Sequence, residues 1–143
     1  MDERYDSVFG FLETSGFEPK QIHGQLVQFW YKEERYYLRF VDQREALRIF
    51  NPRVWHVESH AEFGIATFVA NNMNKETFGV KLFMNEVDDY VYTVADIFFS
   101  EFETLRRTFL DYMNAMNWAI GEFRDRTEEA IEGNDRPELP GPE

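Results

Sequence analysis

The chain contains no cysteine and no long apolar run. The first absence excludes disulfides, thiol nucleophiles and zinc sites built from cysteine. The second excludes a membrane-spanning helix, which needs roughly 20 consecutive apolar residues. The amino-terminal residues Met1-Asp2-Glu3-Arg4 are charged, which is not typical of a signal peptide. We therefore expect a cytoplasmic protein with no membrane partner.

Positive charge is also scarce. Fifteen Lys and Arg residues stand against 27 Asp and Glu residues, which gives a formal net charge of −12. A surface of that sign repels a phosphate backbone rather than attracting it. We therefore predict no direct contact with nucleic acid.

Motifs that carry chemistry are equally hard to find. The glycines form neither a phosphate-binding loop nor a dinucleotide fingerprint, and no serine stands in a G-x-S-x-G context. Adjacent carboxylates occur at Glu33-Glu34, Asp88-Asp89 and Glu128-Glu129, and neighbouring side chains in turns face apart and stay hydrated.

One trio resembles a metal site at first glance. His56 and His60 flank Glu58, and imidazole and carboxylate groups are common zinc ligands. The spacing differs from H-E-x-x-H, and the two histidines are expected on different elements, a strand end and a first helical turn. His23 has no partner nearby in the sequence. We therefore predict no catalytic residue, no metal ligand and no cofactor.

What the chain has in quantity is apolar and aromatic residues. Its 143 residues are 43% hydrophobic and 17% aromatic, enough for one well-packed core. We predict a single domain over residues 1 to 126. For residues 127 to 143 we predict a helix extension followed by an acidic, proline-rich tail, which we expect to be disordered.

The most regular pattern lies between Ser100 and Arg126. Apolar residues recur there at spacings of three and four, which is typical of a helix with one buried face. Ser100 and Glu103 stand in the relation of a capping box, which predicts where the helix begins. The stripe consists of Phe102, Leu105, Phe109, Tyr112, Met116, Ala119 and Phe123.

The first half of the chain predicts a helix and three strands. A helix is expected over Glu3 to Thr14, with Gly16 as its left-handed cap. A hairpin follows, with strands over Gln25 to Lys32 and Arg35 to Val41 and a turn at Glu33-Glu34. The next strand, Ala46 to Val57, contains Asn51-Pro52. Because proline cannot donate to a ladder, we expect an edge or interrupted strand.

The second half predicts helix, strand, strand and helix. Ser59 and Glu62 form another capping box, opening a helix that ends near Asn74. Strands are expected over Phe78 to Asn85 and Tyr90 to Ile97, before the long helix. This order, α-βββ-α-ββ-α, indicates an α+β domain with a mainly antiparallel, twisted sheet covered by helices.

This order resembles the YbjN-like family, which shares the fold of type III secretion chaperones. Three pieces carry the resemblance: Leu12 through Gly16-Phe17, the asparagines 71, 72 and 74 that close the middle helix, and Lys81 to Asp96. The resemblance implies a small acidic homodimer that is not an enzyme and that acts as a regulator or a chaperone-like binder of an unidentified protein.

The middle helix carries a second apolar face. Ala61, Ile65 and Phe68 lie on the side opposite Phe63 and Met73. Burial on both sides favours the sheet on one face and a partner on the other. We therefore predict that Ala61, Ile65 and Phe68 form a homodimer interface.

A second candidate surface is aromatic. Trp118 points away from the long helix's apolar stripe, and several strands carry more rings than one core face needs. Either these rings receive a protein partner, or the sheet curls and they fill a two-sided core. A small-ligand sensor or enzyme, with a pocket between the long helix and the sheet, is the alternative function. The predicted partner face comprises Phe29, Tyr31, Tyr37, Phe83, Tyr92 and Trp118.

Overall fold

The computed structural model describes residues 3–24, 26–41 and 45–134. Within these ranges the chain forms three helices and six strands. The helices are α1 (Glu3–Thr14), α2 (His60–Asn74) and α3 (Phe102–Asn134). The strands are β1 (Lys20–His23), β2 (Leu26–Tyr31), β3 (Glu34–Phe40), β4 (Ala46–His56), β5 (Lys81–Asn85) and β6 (Tyr90–Phe98).

The strands form one antiparallel sheet in the order β1-β2-β3-β4-β6-β5. The helices pack on one side of it, so that the buried side chains of helices and sheet make a single apolar cluster. In the sheet, Val27, Leu38, Ile49 and Ala95 form one row of this cluster. The predicted α+β class is confirmed, although four strands rather than three precede α2. The additional one, β1, has four exposed residues and no apolar alternation that would have indicated it.

The long helix has the predicted buried face. Leu105, Phe109, Met116, Ala119 and Phe123 have at most 1% of their surface exposed, while Phe102 and Tyr112 are partly buried. Its start differs from the prediction. The helix begins at Phe102, where the Glu101 carbonyl accepts the Leu105 amide, and the Glu103 carboxylate binds Arg106 rather than reaching back to Ser100.

The Ser59 cap of α2 is confirmed, because the Ser59 hydroxyl accepts the Glu62 amide at 3.1 Å. The reciprocal bond of a capping box is displaced by one residue, since the Glu62 carboxylate accepts the Glu58 amide at 3.2 Å rather than that of Ser59. The cap of α1 is also as predicted, because Gly16 has a φ of +83° and the Phe17 amide bonds back to Leu12.

The first hairpin turns one residue earlier than predicted. Its two turn residues are Lys32 and Glu33, both with positive φ, and Tyr31 pairs with Glu34. Positive φ at both central positions is the geometry of a type I′ turn, which matches the twist of the flanking strands. Glu34 is therefore a strand residue, and its side chain binds Arg124.

The prediction that β4 is an edge strand is wrong, because β4 pairs with β3 on one side and β6 on the other. The predicted interruption is present, as the register shifts between Asn51 and Trp55. The irregularity accommodates Pro52 inside the sheet. Asn51 is buried, and its side chain accepts the Arg53 amide at 2.8 Å and donates to Glu34 at 3.1 Å.

The core continues slightly beyond the predicted domain boundary. Thr127 is fully buried, and α3 stays helical to Asn134, as the predicted helix extension requires. Residues 135 to 143, which include the proline-rich part of the tail, lie outside the described residues.

Candidate functional site

The side of the sheet away from the helices is not covered by any described helix. We call it the open sheet face. Register places Gln28, Tyr37, Phe50, Val94 and Lys81 in one row across it. In antiparallel sheets such a face is commonly solvated and polar. Here it is instead populated by aromatic rings and cations.

Aromatic rings form a continuous line across the open sheet face. Tyr37 stacks on Phe50 with ring centroids 5.5 Å apart, and Phe50 stacks on Tyr92 at 6.4 Å. Phe83 of the edge strand β5 contacts Tyr92 at 5.2 Å and is 42% exposed, and Trp30 on β2 is 40% exposed. Burial raises the pKa of Tyr92, as does the hydrogen bond that its hydroxyl donates to Asp88, so Tyr92 is neutral at physiological pH.

Cations surround these rings. Arg35 lies over the Trp30 ring at 5.8 Å, and Arg53 lies over the Tyr90 ring at 5.1 Å. The ladders supply a single carboxylate to the same face, that of Asp96, which makes two bonds to Arg48 at 2.6 and 3.0 Å and raises the pKa of that arginine. The open sheet face is therefore positive in a protein of net charge −12. Its cations are Lys20, Arg35, Arg39, Arg48 and Arg53. Lys81 is in register with this face, but its ammonium donates to the Asn74 carbonyl at the end of α2 at 3.1 Å.

Two shallow depressions lie on this face. The first, of about 210 Å³, is lined by Arg39, Arg48, Phe50, Phe83, Tyr92 and Val94. The second, of about 270 Å³, is lined by Trp30, Glu34, Arg35, Asn51, Pro52 and Arg53. Both combine apolar side chains with guanidinium groups, which suits an apolar side chain beside a carboxylate. The second depression also contains the Glu34 carboxylate, which is already bound by Arg124 and Asn51.

The β5 edge of the sheet is closed to strand addition at its centre. The Asn74 side chain accepts the Leu82 amide and donates to the Leu82 carbonyl, both at 2.8 Å. These are the two backbone groups that an added strand would use at this position. A partner at this side of the sheet is therefore left with the open sheet face rather than the strand edge.

The predicted partner face is divided by the structure. Tyr37, Phe83 and Tyr92 lie on the open sheet face, but Phe29 is fully buried among Phe17 and Phe109, so that a partner cannot reach it. The prediction placed both sets on one surface because period-two alternation does not reveal which side a helix covers.

Two further members of the predicted partner face lie elsewhere. Tyr31 faces α3, where its hydroxyl donates to Asn114. Trp118 is on the outer side of α3, as the helical spacing predicted, and is 51% exposed. Neither ring adjoins the open sheet face.

The predicted dimer face is partly exposed. Phe68 is 68% exposed and Ala61 is exposed, so both are available on the outer side of α2. Ile65 differs, because it is half-buried and packs against the core cluster.

The space between α3 and the sheet, where the alternative function would need a pocket, is filled by side chains. Phe29, Tyr36, Phe109 and Phe123 have no exposed surface there. The Tyr36 hydroxyl donates to Asn117 at 2.8 Å, and burial raises the pKa of Tyr36. The described part of this interface is a packed core.

The histidines and paired carboxylates do not converge. The His56 ring packs at a tilt against Tyr90 and contacts Glu58 at 3.6 Å, while His60 is the first residue of α2. Within residues 3–24, 26–41 and 45–134, no three His, Cys, Asp or Glu side chains are grouped as metal ligands would be. None of the helices in these ranges has the length and apolarity to cross a bilayer.

Sequence reasoning missed the basic half of the open sheet face. The signal was present as alternation, with Arg35, Tyr37 and Arg39 at every second position of one strand, and Arg48 and Phe50 on the next. The net charge of the whole chain concealed it, because the acids concentrate elsewhere. No protein-family model, curated protein or solved structure matches the chain, and the resemblance to the YbjN-like family therefore stays a prediction.

Proposed function

We propose that this chain is a non-enzymatic protein-binding module, chaperone-like or regulatory, that takes its partner on the open sheet face. One observation carries the proposal: seven Phe, Tyr and Trp side chains occupy positions on a sheet face that no described helix covers. Exposed apolar patches of this kind mark interaction surfaces. These residues are Trp30, Tyr37, Phe50, Phe83, Tyr90, Tyr92 and Phe98.

The proposal predicts that removing the exposed rings abolishes partner capture. Trp30→Ser combined with Phe83→Ser should reduce the amount of protein cross-linked from a lysate of the source cells by about tenfold or more, because buried aromatic anchors dominate interface energies. The identities of the captured proteins are compared by mass spectrometry between the wild type and this variant.

The matched control removes two large apolar side chains from the outer side of α3. Leu110 and Trp118 are 49% and 51% exposed, similar to Trp30 and Phe83, and both are changed to serine. The control should capture the same proteins as the wild type. Equal capture by the Trp30 and Phe83 variant, or loss by the α3 control alone, would contradict the proposal. Circular dichroism confirms that both variants are folded.

We further propose that the module acts as a homodimer through Ala61 and Phe68 on α2. A twofold interface meets itself, so Phe68→Glu places two like charges near the axis and removes two rings. Because Phe68 is 68% exposed, the fold should be unaffected. We expect association at least about tenfold weaker, measured by light scattering at micromolar concentration.

The control for the dimer is Leu110→Glu, which adds the same charge to the outer side of α3. It should associate as the wild type does. A monomeric wild type, or a dimer that Phe68→Glu leaves intact, would contradict this interface.

A further inference from the structure

We infer that the partner of the open sheet face is an acidic segment in extended conformation, which contributes carboxylates to the arginines and apolar side chains to the two depressions. This inference rests on the proposed function and names the chemistry of its partner.

The cations of the open sheet face are largely without carboxylates. Arg48 is paired with Asp96, but Arg35 and Arg39 have no ion-pair partner among the residues that the structure describes. Guanidinium groups bind carboxylates through two parallel hydrogen bonds, which gives this surface a preference for Asp and Glu. The preference is local, because charges separated by more than about 10 Å are screened at ordinary salt.

The depressions supply the apolar half of the recognition. Arg39 and Arg48 are cross-strand neighbours at the rim of the depression that Phe50, Phe83 and Tyr92 line. An apolar side chain in this depression places its neighbours in the segment within reach of those arginines. The second depression also places a ring beside a guanidinium group, at Trp30 and Arg35, and its Glu34 carboxylate is already paired with Arg124. A segment with alternating apolar and acidic residues would fill the depressions and pair with the arginines beside them.

Net charge favours an acidic peptide segment over single-stranded nucleic acid. A long polyanion would extend past the open sheet face and meet the rest of a chain of net charge −12. A short acidic segment would contact only the basic face itself.

The dimensions of the sheet set the length of the probe. Six strands spaced about 4.8 Å apart span roughly 24 Å, which an extended chain crosses in about seven residues. A peptide of about ten residues, with two phenylalanines separated by glutamates, is therefore sufficient. Matched peptides replace every Glu by Gln or by Lys, and affinity is measured by calorimetry with the full chain.

We expect the Glu peptide to bind about tenfold or more tightly than the Gln peptide, with the Lys peptide weakest. Raising salt from about 0.05 M to about 0.3 M should remove most of this difference, since screening shortens the range of the charges. Arg35→Gln combined with Arg39→Gln should weaken Glu-peptide binding about tenfold. Arg106→Gln combined with Arg107→Gln, on α3, should leave it unchanged.

Several results would overturn the inference: equal affinity for the Glu and Gln peptides, preference for the Lys peptide, no binding by any of the three, or an equal loss in the α3 control. Tighter binding of an oligothymidine of matched length would assign the face to nucleic acid. Dissociation of a homodimer by the Arg35 and Arg39 variant, seen by light scattering, would assign it to a second copy of this chain.

Different experimental results would contradict the acidic preference and the binding face itself. If the Glu and Gln peptides bind equally and Trp30→Ser with Phe83→Ser weakens both, the acidic preference is wrong while the binding face stands. If no peptide binds and capture from the lysate is also independent of Trp30 and Phe83, both are wrong.

Discussion

Phe109→Ala is expected to lower the free energy of unfolding by about 3–5 kcal/mol, as large-to-small changes in a core do. Phe109 has no exposed surface, and its ring contacts Phe11, Phe17 and Phe29 with centroids 5.5, 5.7 and 6.0 Å away. It therefore joins α1, α3 and β2 at one point. Alanine would leave a cavity that these three elements cannot fill together.

The measurement is urea denaturation followed by circular dichroism. The neighbouring Leu110 is 49% exposed, which makes Leu110→Ala the matched control with an expected loss below about 1 kcal/mol. If Phe109→Ala costs less than about 1 kcal/mol, this face of α3 is not the core.

Arg124→Met should cost about 2–3 kcal/mol, the second largest effect that we expect. Arg124 donates to the Glu34 carboxylate at 2.7 Å, to the Val54 carbonyl at 2.9 Å and to the Arg53 carbonyl at 3.2 Å. It thus supplies hydrogen bonds to backbone groups at the irregularity of β4. Methionine keeps most of the side-chain volume but removes the donor for both carbonyls and leaves the partly buried Glu34 carboxylate without its ion pair.

Arg107→Met removes a charge from an exposed position on the same helix and should change the stability by less than about 0.5 kcal/mol. The same urea titration compares the two variants. Equal stability of Arg124→Met and the wild type would mean that Arg124 does not support the interrupted strand.

The parts of the fold that could be predicted were those with a repeating local pattern. The apolar stripe of α3 repeats over about six turns, so its buried face could be predicted without knowing which element covers it. The Ser59–Glu62 cap depends on four consecutive residues and was equally readable. Ser100 and Glu103 have the same spacing, but the Glu103 carboxylate accepts hydrogen bonds from Arg106 instead of completing a capping box.

The parts that could not be predicted depend on which strands are neighbours. Asn51-Pro52 is compatible with an edge strand, and only the contacts from Arg124 and Glu34 explain how β4 lies inside the sheet. Phe29 and Tyr37 are both aromatic strand residues, yet one is core and the other lies on the open sheet face. Their opposite positions follow from the register of the hairpin, which set Phe29 against Tyr36.

The positive charge of the open sheet face had the same origin. Arg39 on β3 and Arg48 on β4 are nine positions apart in the sequence but are direct cross-strand neighbours. The net charge of −12 for the whole chain indicated an acidic surface and gave no sign that these arginines lie together. The segregation of charge became visible only when the strands were placed side by side.

Hydroxyl-radical footprinting can locate the bound partner on this chain, because aromatic side chains are among the groups that it oxidises. The chain has exposed rings on both sides, Trp30 and Phe83 on the open sheet face and Trp118 on α3. In the complex with the captured partner, oxidation of Trp30 and Phe83 should fall severalfold while that of Trp118 stays at its value in the free protein. Protection of Trp118 with no change at Trp30 and Phe83 would place the partner on α3 and rule out the open sheet face.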